Sequence, residues 1–407
     1  MNRIMIISIL ILFISCKNQS TDIKDITKPY PHTVNINEGF RNDSQIRLSD
    51  IADSMRYIVL AKDSQHLIGS IRNVQITDSS IYLLSDNLLM RFDQNGRFLN
   101  SFGSTGRGPE EYLPGSVYTT TPDDKEVIIF RSAMDSYLIF KPDGNYIKTR
   151  DFMVPRTMYD LKCLSDSVFL CTFYYLGTIM KDYITNSINW SAGIFDTDGN
   201  PLKVIEHPLK NKSLSESETR NIISMAPLVT FFDNRAVIMP AGDTIYEIDS
   251  KSITKGYIID WGNVSHNQSI EDFYFRNADN SNKTSVWSLI PETDYKTYFR
   301  VRKGNDTYLF EYNKVTGSTR SMIEDRDNPG IINDLDGGIN YFPYYTNREG
   351  NVWIVYDDAY TFKEKHSKEF LNSPTSRNQE MKGNLTEFLN TLKKDDNPVL
   401  VIIYLKK

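Results

Sequence analysis

The side chains with chemistry beyond packing fall into three groups: five histidines, three cysteines and two glycine-rich segments that carry charge. His32, His66, His207, His266 and His366 are scattered singly along the chain. None forms an HxH or HExxH pair, the spacing that turns two imidazoles onto one metal, so a zinc hydrolase is poorly supported and no metal or other cofactor is implied. No G-x-S-x-G elbow or phosphate-binding loop is present either. Cys163 and Cys171 flank a Ser165-Asp166-Ser167 turn, which reads as a hairpin. Pairing about that turn sets residue 163 opposite 169 and leaves Cys171 one diagonal away, roughly 7–8 Å, too far for a relaxed disulfide. Two buried free thiols are expected, with a disulfide as the alternative in an oxidising compartment.

The first charged segment, Gly103-Ser104-Thr105-Gly106-Arg107-Gly108-Pro109-Glu110-Glu111-Tyr112, is too rich in Gly and Pro for a regular element and reads as a fixed loop. Two roles fit it. Arg107 pairs with a carboxylate while Tyr112 wedges between neighbouring units, or Arg107, Glu110 and Glu111 stand at the rim of a binding pocket. The second segment, Asn333-Asp334-Leu335-Asp336-Gly337-Gly338, poses the same question. It is a turn signal first, and Asp334 and Asp336 as a carboxylate site second. Asp196-Thr197-Asp198-Gly199-Asn200 has the look of a calcium loop, but its Gly falls one place early and no Glu follows at the required distance, so a hairpin turn is expected.

The elements that must hold these residues are strands. Leu89–Leu99, Tyr137–Ile147 and Gly193–Leu202 repeat one unit: an apolar strand, an acidic or polar turn ending in Gly, and a second strand. Looser copies follow at Thr244–Lys251 and Tyr308–Gly317. The turn glycines 96, 144 and 199 are 48 and 55 residues apart, a period that suits the four-stranded blades of a propeller. Five blades fill out to four strands each between residues 70 and 324. A sixth begins at Ile339–Tyr345 and Val352–Tyr356 and then breaks into helices over Tyr360–Leu371 and Gln379–Lys394. The apolar run Val399–Leu405 supplies its third strand and Tyr57–Leu60 its fourth, so that the two ends of the chain close the ring and remove its open edges. Short helical insertions are expected, one over Ser213–Met225, and another insertion of undefined form over Val264–Lys283. The fold class is all-β: a six-bladed β-propeller closed by N- and C-terminal strands, with a C-terminal helix.

Composition agrees. Aromatic residues make up 12% of the 407, with 24 Tyr and 21 Phe, a supply that favours strands. The net charge is −6, which disfavours a nucleic acid partner, because phosphate contact needs a basic field. Residues 1–15 form a signal peptide with Arg3 before an apolar run too short to span a bilayer. Phe13-Ile14-Ser15-Cys16 resembles a bacterial lipobox, which makes Cys16 the lipidated residue, with Phe13 where Leu is usual. Residues 16–44, polar and carrying Pro29 and Pro31, read as a lipid-anchored tether, with Thr33–Ile36 as a possible edge strand. Residues 45–407 form the propeller.

Four stretches give the chain its resemblance to the six-bladed β-propeller lipoproteins of Bacteroidetes, architectural relatives of NHL-repeat propellers. They are Phe102–Tyr112, Asn333–Gly338, Gly350-Asn351-Val352-Trp353 and Asp396-Asn397-Pro398-Val399-Leu400. The resemblance implies a fold and an address in the cell envelope, lipid-anchored in the outer membrane, and leaves the ligand open. The expected function is a binding or interaction module for a glycan, peptide or envelope protein. The alternatives are a lyase or hydrolase with its site on the propeller axis, and a structural subunit of an outer-membrane complex. An exposed aromatic strip would favour the glycan, a wide apolar patch a protein, and an axial pair with perturbed pKa an enzyme.

Overall fold

The computed structural model describes residues 30–61, 68–131, 134–154, 158–174, 190–207, 226–240, 242–266, 284–286, 289–366 and 376–406. Its described strands form six sheets of four, one of them extended to five, arranged as blades about a central axis, and a two-stranded parallel ribbon, Ser104–Thr105 with Glu111–Tyr112, in the loop after blade one. In blade one the strands run Ile71–Ile76, Ile81–Ser85, Leu88–Phe92 and Phe98–Phe102, from the innermost outward. Blades two to five repeat this order, with inner strands Val117–Thr120, Met158–Ser165, Thr230–Phe232 and Thr284–Val286. Position within a blade explains the burial of each strand. The second and third strands lie between two neighbouring blades and are apolar on both faces, as in Ile81–Ser85 and Ser136–Phe140, where every residue is buried. The outermost strands, such as Tyr146–Asp151 and Pro201–Glu206, are largely exposed and polar.

The core is six cores, one between each pair of neighbouring blades. Tyr82, Phe102, Tyr118 and Phe140 fill the space between blades one and two, and Phe130, Phe152, Phe169 and Phe195 that between two and three. Ile58, Ile71, Leu83, Ile354 and Leu400 join blade six back to blade one. The repeated turn glycine serves this packing as well as its own hairpin. Gly96 has φ +81°, and a Cβ there would lie 2.7 Å from the Val59 carbonyl of blade six. Gly144, at φ +90°, meets the Ser101 carbonyl of blade one at 3.0 Å in the same way. Only glycine combines the left-handed backbone with so close an approach.

Blade six closes as the sequence predicts. Its order is Tyr345–Thr346, Val352–Asp357, Val399–Leu405 and Ala52–Val59, with Ile354 opposite Ile402 and Ile402 opposite Arg56. The helices that interrupt it are Ala359–Lys365 and Gln379–Thr391. Asp358 caps the first by accepting from the Thr361 N–H at 2.8 Å, and Asn378 caps the second from Glu380 and Met381. Leu385 and Leu389 turn the second helix onto the core between blades five and six. The helix expected over Ser213–Met225 and most of the insertion at Val264–Lys283 lie outside the described residues.

The body begins well before residue 45, which corrects the expected extent of the tether. His32–Asn35 adds to blade four as a fifth strand, parallel to Ile253–Asp260. A helix at Ile36–Arg41 then packs on blade five, and short bridges at Asp43 and Arg47 carry the chain past Ser321 and Ile332 to blade six. Val34 and Ile36 are fully buried. Val34 and Ile36 fasten the start of this belt on the ladder that the edge of blade four offers, and Ile46 and Leu48 bury its far end.

Candidate functional site

Residues of all six blades, in or beside their inner strands, line one cavity of about 480 Å³ on the axis. Blade three contributes Met158, Tyr159, Asp160 and Lys162 from its first strand and Tyr174 from the end of its second. Blade six, opposite it in the ring, contributes Tyr344, Tyr345 and Tyr356. Arg72 and Asn73 come from blade one and Ser116 and Val117 from blade two. Leu228, Val229 and Leu289 make the side formed by blades four and five apolar.

Five tyrosines therefore line the cavity, two from blade three and three from blade six. Tyr159 and Tyr174 meet edge to face with ring centres 4.7 Å apart. Tyr345 and Tyr356 lie nearly parallel at 6.4 Å, and Tyr344 tilts against Tyr356 at 5.3 Å. The Tyr345 and Tyr356 hydroxyls donate to the Arg72 and Ile71 carbonyls at 2.9 and 3.0 Å, which fixes their rings against blade one. Tyr344 remains 45% exposed. Burial holds all four of Tyr159, Tyr174, Tyr345 and Tyr356 above the ordinary phenol range, Tyr174 at about 12. They are neutral hydroxyls at physiological pH. Asp160 and Lys162, two apart on one strand, point the same way, and their carboxylate and ammonium meet at 3.1 Å. Such a wall offers flat aromatic faces, neutral hydroxyls and one pre-paired charge, the means to grip a ligand with both apolar and hydroxylated surfaces.

None of the residues expected to bind ligand lines this cavity. Arg107 and Glu110 are exposed in the connection between blades one and two. Glu111 is turned onto its own loop, where its carboxylate accepts from the Gly108 N–H at 2.7 Å and leaves Gly106 no room for a Cβ. Tyr112 is the wedge: buried, it donates to the Phe102 carbonyl at 3.0 Å and accepts from the Leu89 N–H at 2.9 Å. The loop touches the cavity only where it ends, at Gly115 and Ser116.

Asp334 and Asp336 are both buried at the junction between the N-terminal belt and blade six. Asp334 accepts from the backbone N–H and hydroxyl of Ser49 and pairs with Arg377 at 2.9 Å and Arg47 at 3.6 Å. Asp336 accepts from Tyr57, from Asn333 at 2.7 Å and from the Gly338 N–H at 2.8 Å. Burial raises its carboxyl despite these donors. The calcium-like stretch is a turn, in which Asp196 accepts from the N–H groups of Asp198 and Asn200. Cys163 and Cys171 are buried and free, and burial pushes the Cys163 thiol up to about 12. Cys16 lies outside the described residues.

Sequence reasoning missed Tyr159, Tyr174, Tyr344, Tyr345, Tyr356, Arg72, Asp160 and Lys162. A signal was present. The inner strand of blade three carries Tyr159, Asp160 and Lys162 and that of blade six starts at Tyr345, whereas Val229 and Leu289, beside the inner strands of blades four and five, are apolar.

An exported protein of Bacteroides fragilis has a similar fold, with a TM-score of 0.65 at 15% identity over 92% of this chain and 99% of its own. A Bacteroides vulgatus member of the DUF4221 family is more distant, with a TM-score of 0.44 at 14% identity over 87% of this chain and 97% of its own. No curated protein matches the sequence. The family described as a domain of unknown function, DUF4934, matches residues 31–404, from the start of the belt to the closing strand. The chain belongs to that DUF4934 family, and its six-bladed ring with an aromatic axial cavity is the form the family takes here.

Proposed function

We propose that this propeller is a binding module of the cell envelope whose axial cavity takes a glycan. The observation that carries the reading is the two facing groups of tyrosines, two from blade three and three from blade six, on a 480 Å³ cavity. Sugars present apolar C–H faces and hydroxyl edges. Tyrosine rings stack on the first, and neutral phenols with the Asp160–Lys162 pair bond the second. A peptide would use the apolar side at Leu228, Val229 and Leu289 instead. The test is an array of monosaccharides and oligosaccharides beside an array of peptides. The account expects sugar binding that Tyr159→Ala weakens roughly tenfold or more, the worth of one lost stacking contact and hydroxyl. Binding to peptides alone sinks the glycan reading.

The envelope address rests on residues 1–16 and is supported by the exported Bacteroides fragilis protein of similar fold. Lipid on Cys16 would tether the body through the belt that enters at blade four. Cys16→Ser should shift the protein from the membrane to the soluble fraction and abolish palmitate labelling; unchanged fractionation and labelling contradict it.

A further inference from the structure

A second cavity of about 390 Å³ lies between blades five and six, and it shares two residues with the axial one, Tyr344 and Tyr356. We propose that the two cavities are subsites of one cleft and that the ligand is an oligosaccharide, crossing from the axis over Tyr344 to the outer cavity. This rests on the glycan reading of the axial site.

Three observations carry it. Each cavity alone falls within the range of a small-molecule site, about 300–1,000 Å³, so each can seat its own unit of a longer ligand. The shared wall is an aromatic saddle: Tyr344 is 45% exposed and its ring is braced by Tyr356 at 5.3 Å. Nothing in the inter-blade packing requires so large an exposed ring, and a sugar passing between the cavities has its C–H face against it. The outer cavity also repeats the chemistry of the inner one. Phe342 carries the Arg300 guanidinium over its ring at 4.3 Å, and Asp357 pairs with Lys365 at 2.6 Å, as Asp160 pairs with Lys162 on the axis. Asp327 is exposed at the mouth. An aromatic saddle at Tyr344 between two charged pairs matches the alternation of faces and hydroxyls along a sugar chain.

The experiment is a length series. Linear oligosaccharides of increasing length, with their monosaccharides, are titrated against the full-length protein and against Lys365→Ala and Asp327→Ala. Lys365 and Asp327 are surface positions, and melting curves verify that both variants fold. Affinity should rise with length. Each variant should cost the longer oligomers roughly tenfold, one charge-assisted hydrogen bond, while leaving the monosaccharides unchanged. Sugars that bind with equal affinity at every length, unaffected by either variant, overturn the cleft and leave the axial glycan site standing. Failure of every sugar to bind overturns the glycan reading itself, and the cleft with it.

Discussion

The axial cavity and the junction at Asp334–Asp336 are made of the same side chains and use them in opposite ways. Both bring together tyrosine, carboxylate and arginine. At the junction Asp336 is closed in by Tyr57, Asn333 and Gly338, and Asp334 by Ser49, Arg47 and Arg377. Asn333 and Gly338 are local partners, whereas Tyr57, Ser49, Arg47 and Arg377 come from parts of the chain far away in sequence. On the axis, two tyrosine hydroxyls are spent on blade one, but the ring faces line open space. Residue type therefore does not distinguish a staple from a site. What distinguishes them is whether the protein has already satisfied the group it presents.

The sharpest way to break this comparison is to open the ring whose sixth blade the junction adjoins. Val399–Leu405 is paired on both sides, to Val352–Asp357 and to Ala52–Val59. Deleting residues 398–407 should abolish cooperative folding of the whole ring, seen as loss of the melting transition. A truncated protein that melts like the full chain contradicts the clasp.

Acid should act on the junction next. His366 is buried and uses both ring nitrogens when neutral: Nδ1 donates to the Phe362 carbonyl at 2.8 Å, and Nε2 accepts from the Ile339 N–H at 3.3 Å. Burial lowers it to about 4, and burial lowers His207 likewise to about 4. A depressed folded pKa gives stability that is complete above the unfolded value near 6.5 and is lost as pH falls through about 4. Each histidine contributes on the order of 3 kcal/mol over that window. Asp336, raised by burial, works in the opposite sense in the carboxylate range. The expected outcome is a melting temperature that falls between about pH 6.5 and 4, with a shallower fall in His366→Gln. An identical slope in the variant removes His366 from the account.

Substitutions within the two regions should then separate. Asp336→Ala strands the Tyr57, Asn333 and Gly338 donors and should cost about 2–3 kcal/mol in chemical denaturation, with binding by the folded fraction intact. Arg107→Ala, at an exposed position, should change stability by less than about 0.5 kcal/mol and leave binding unchanged.

Much of the fold was legible because its signals are local. The turn glycines repeat, and strands packed on both sides are apolar on both faces, so the blades and even the clasp could be placed from short windows. The belt was legible only in part: Thr33–Ile36 reads as an edge strand, but its place on blade four and the helix that follows were hidden, because the partner, Ile253–Asp260, lies some two hundred residues away. The site was hidden for the same reason. The lining of the proposed site takes between one and five residues from each of six blades, so no spacing along the chain records it. Loops that looked chemical, Arg107 to Glu111 and Asp334 to Asp336, drew attention because glycine and charge together are visible in sequence. Their carboxylates at Glu111, Asp334 and Asp336 are spent within the fold.

The central claim is that binding belongs to the axis and not to those loops. The most direct test titrates the tightest oligosaccharide from the array into wild type, Tyr159→Ala and Arg107→Ala under identical conditions. The account predicts wild-type affinity for Arg107→Ala and a loss of roughly tenfold or more for Tyr159→Ala, with both variants folded. Affinity lost in Arg107→Ala and kept in Tyr159→Ala would contradict it.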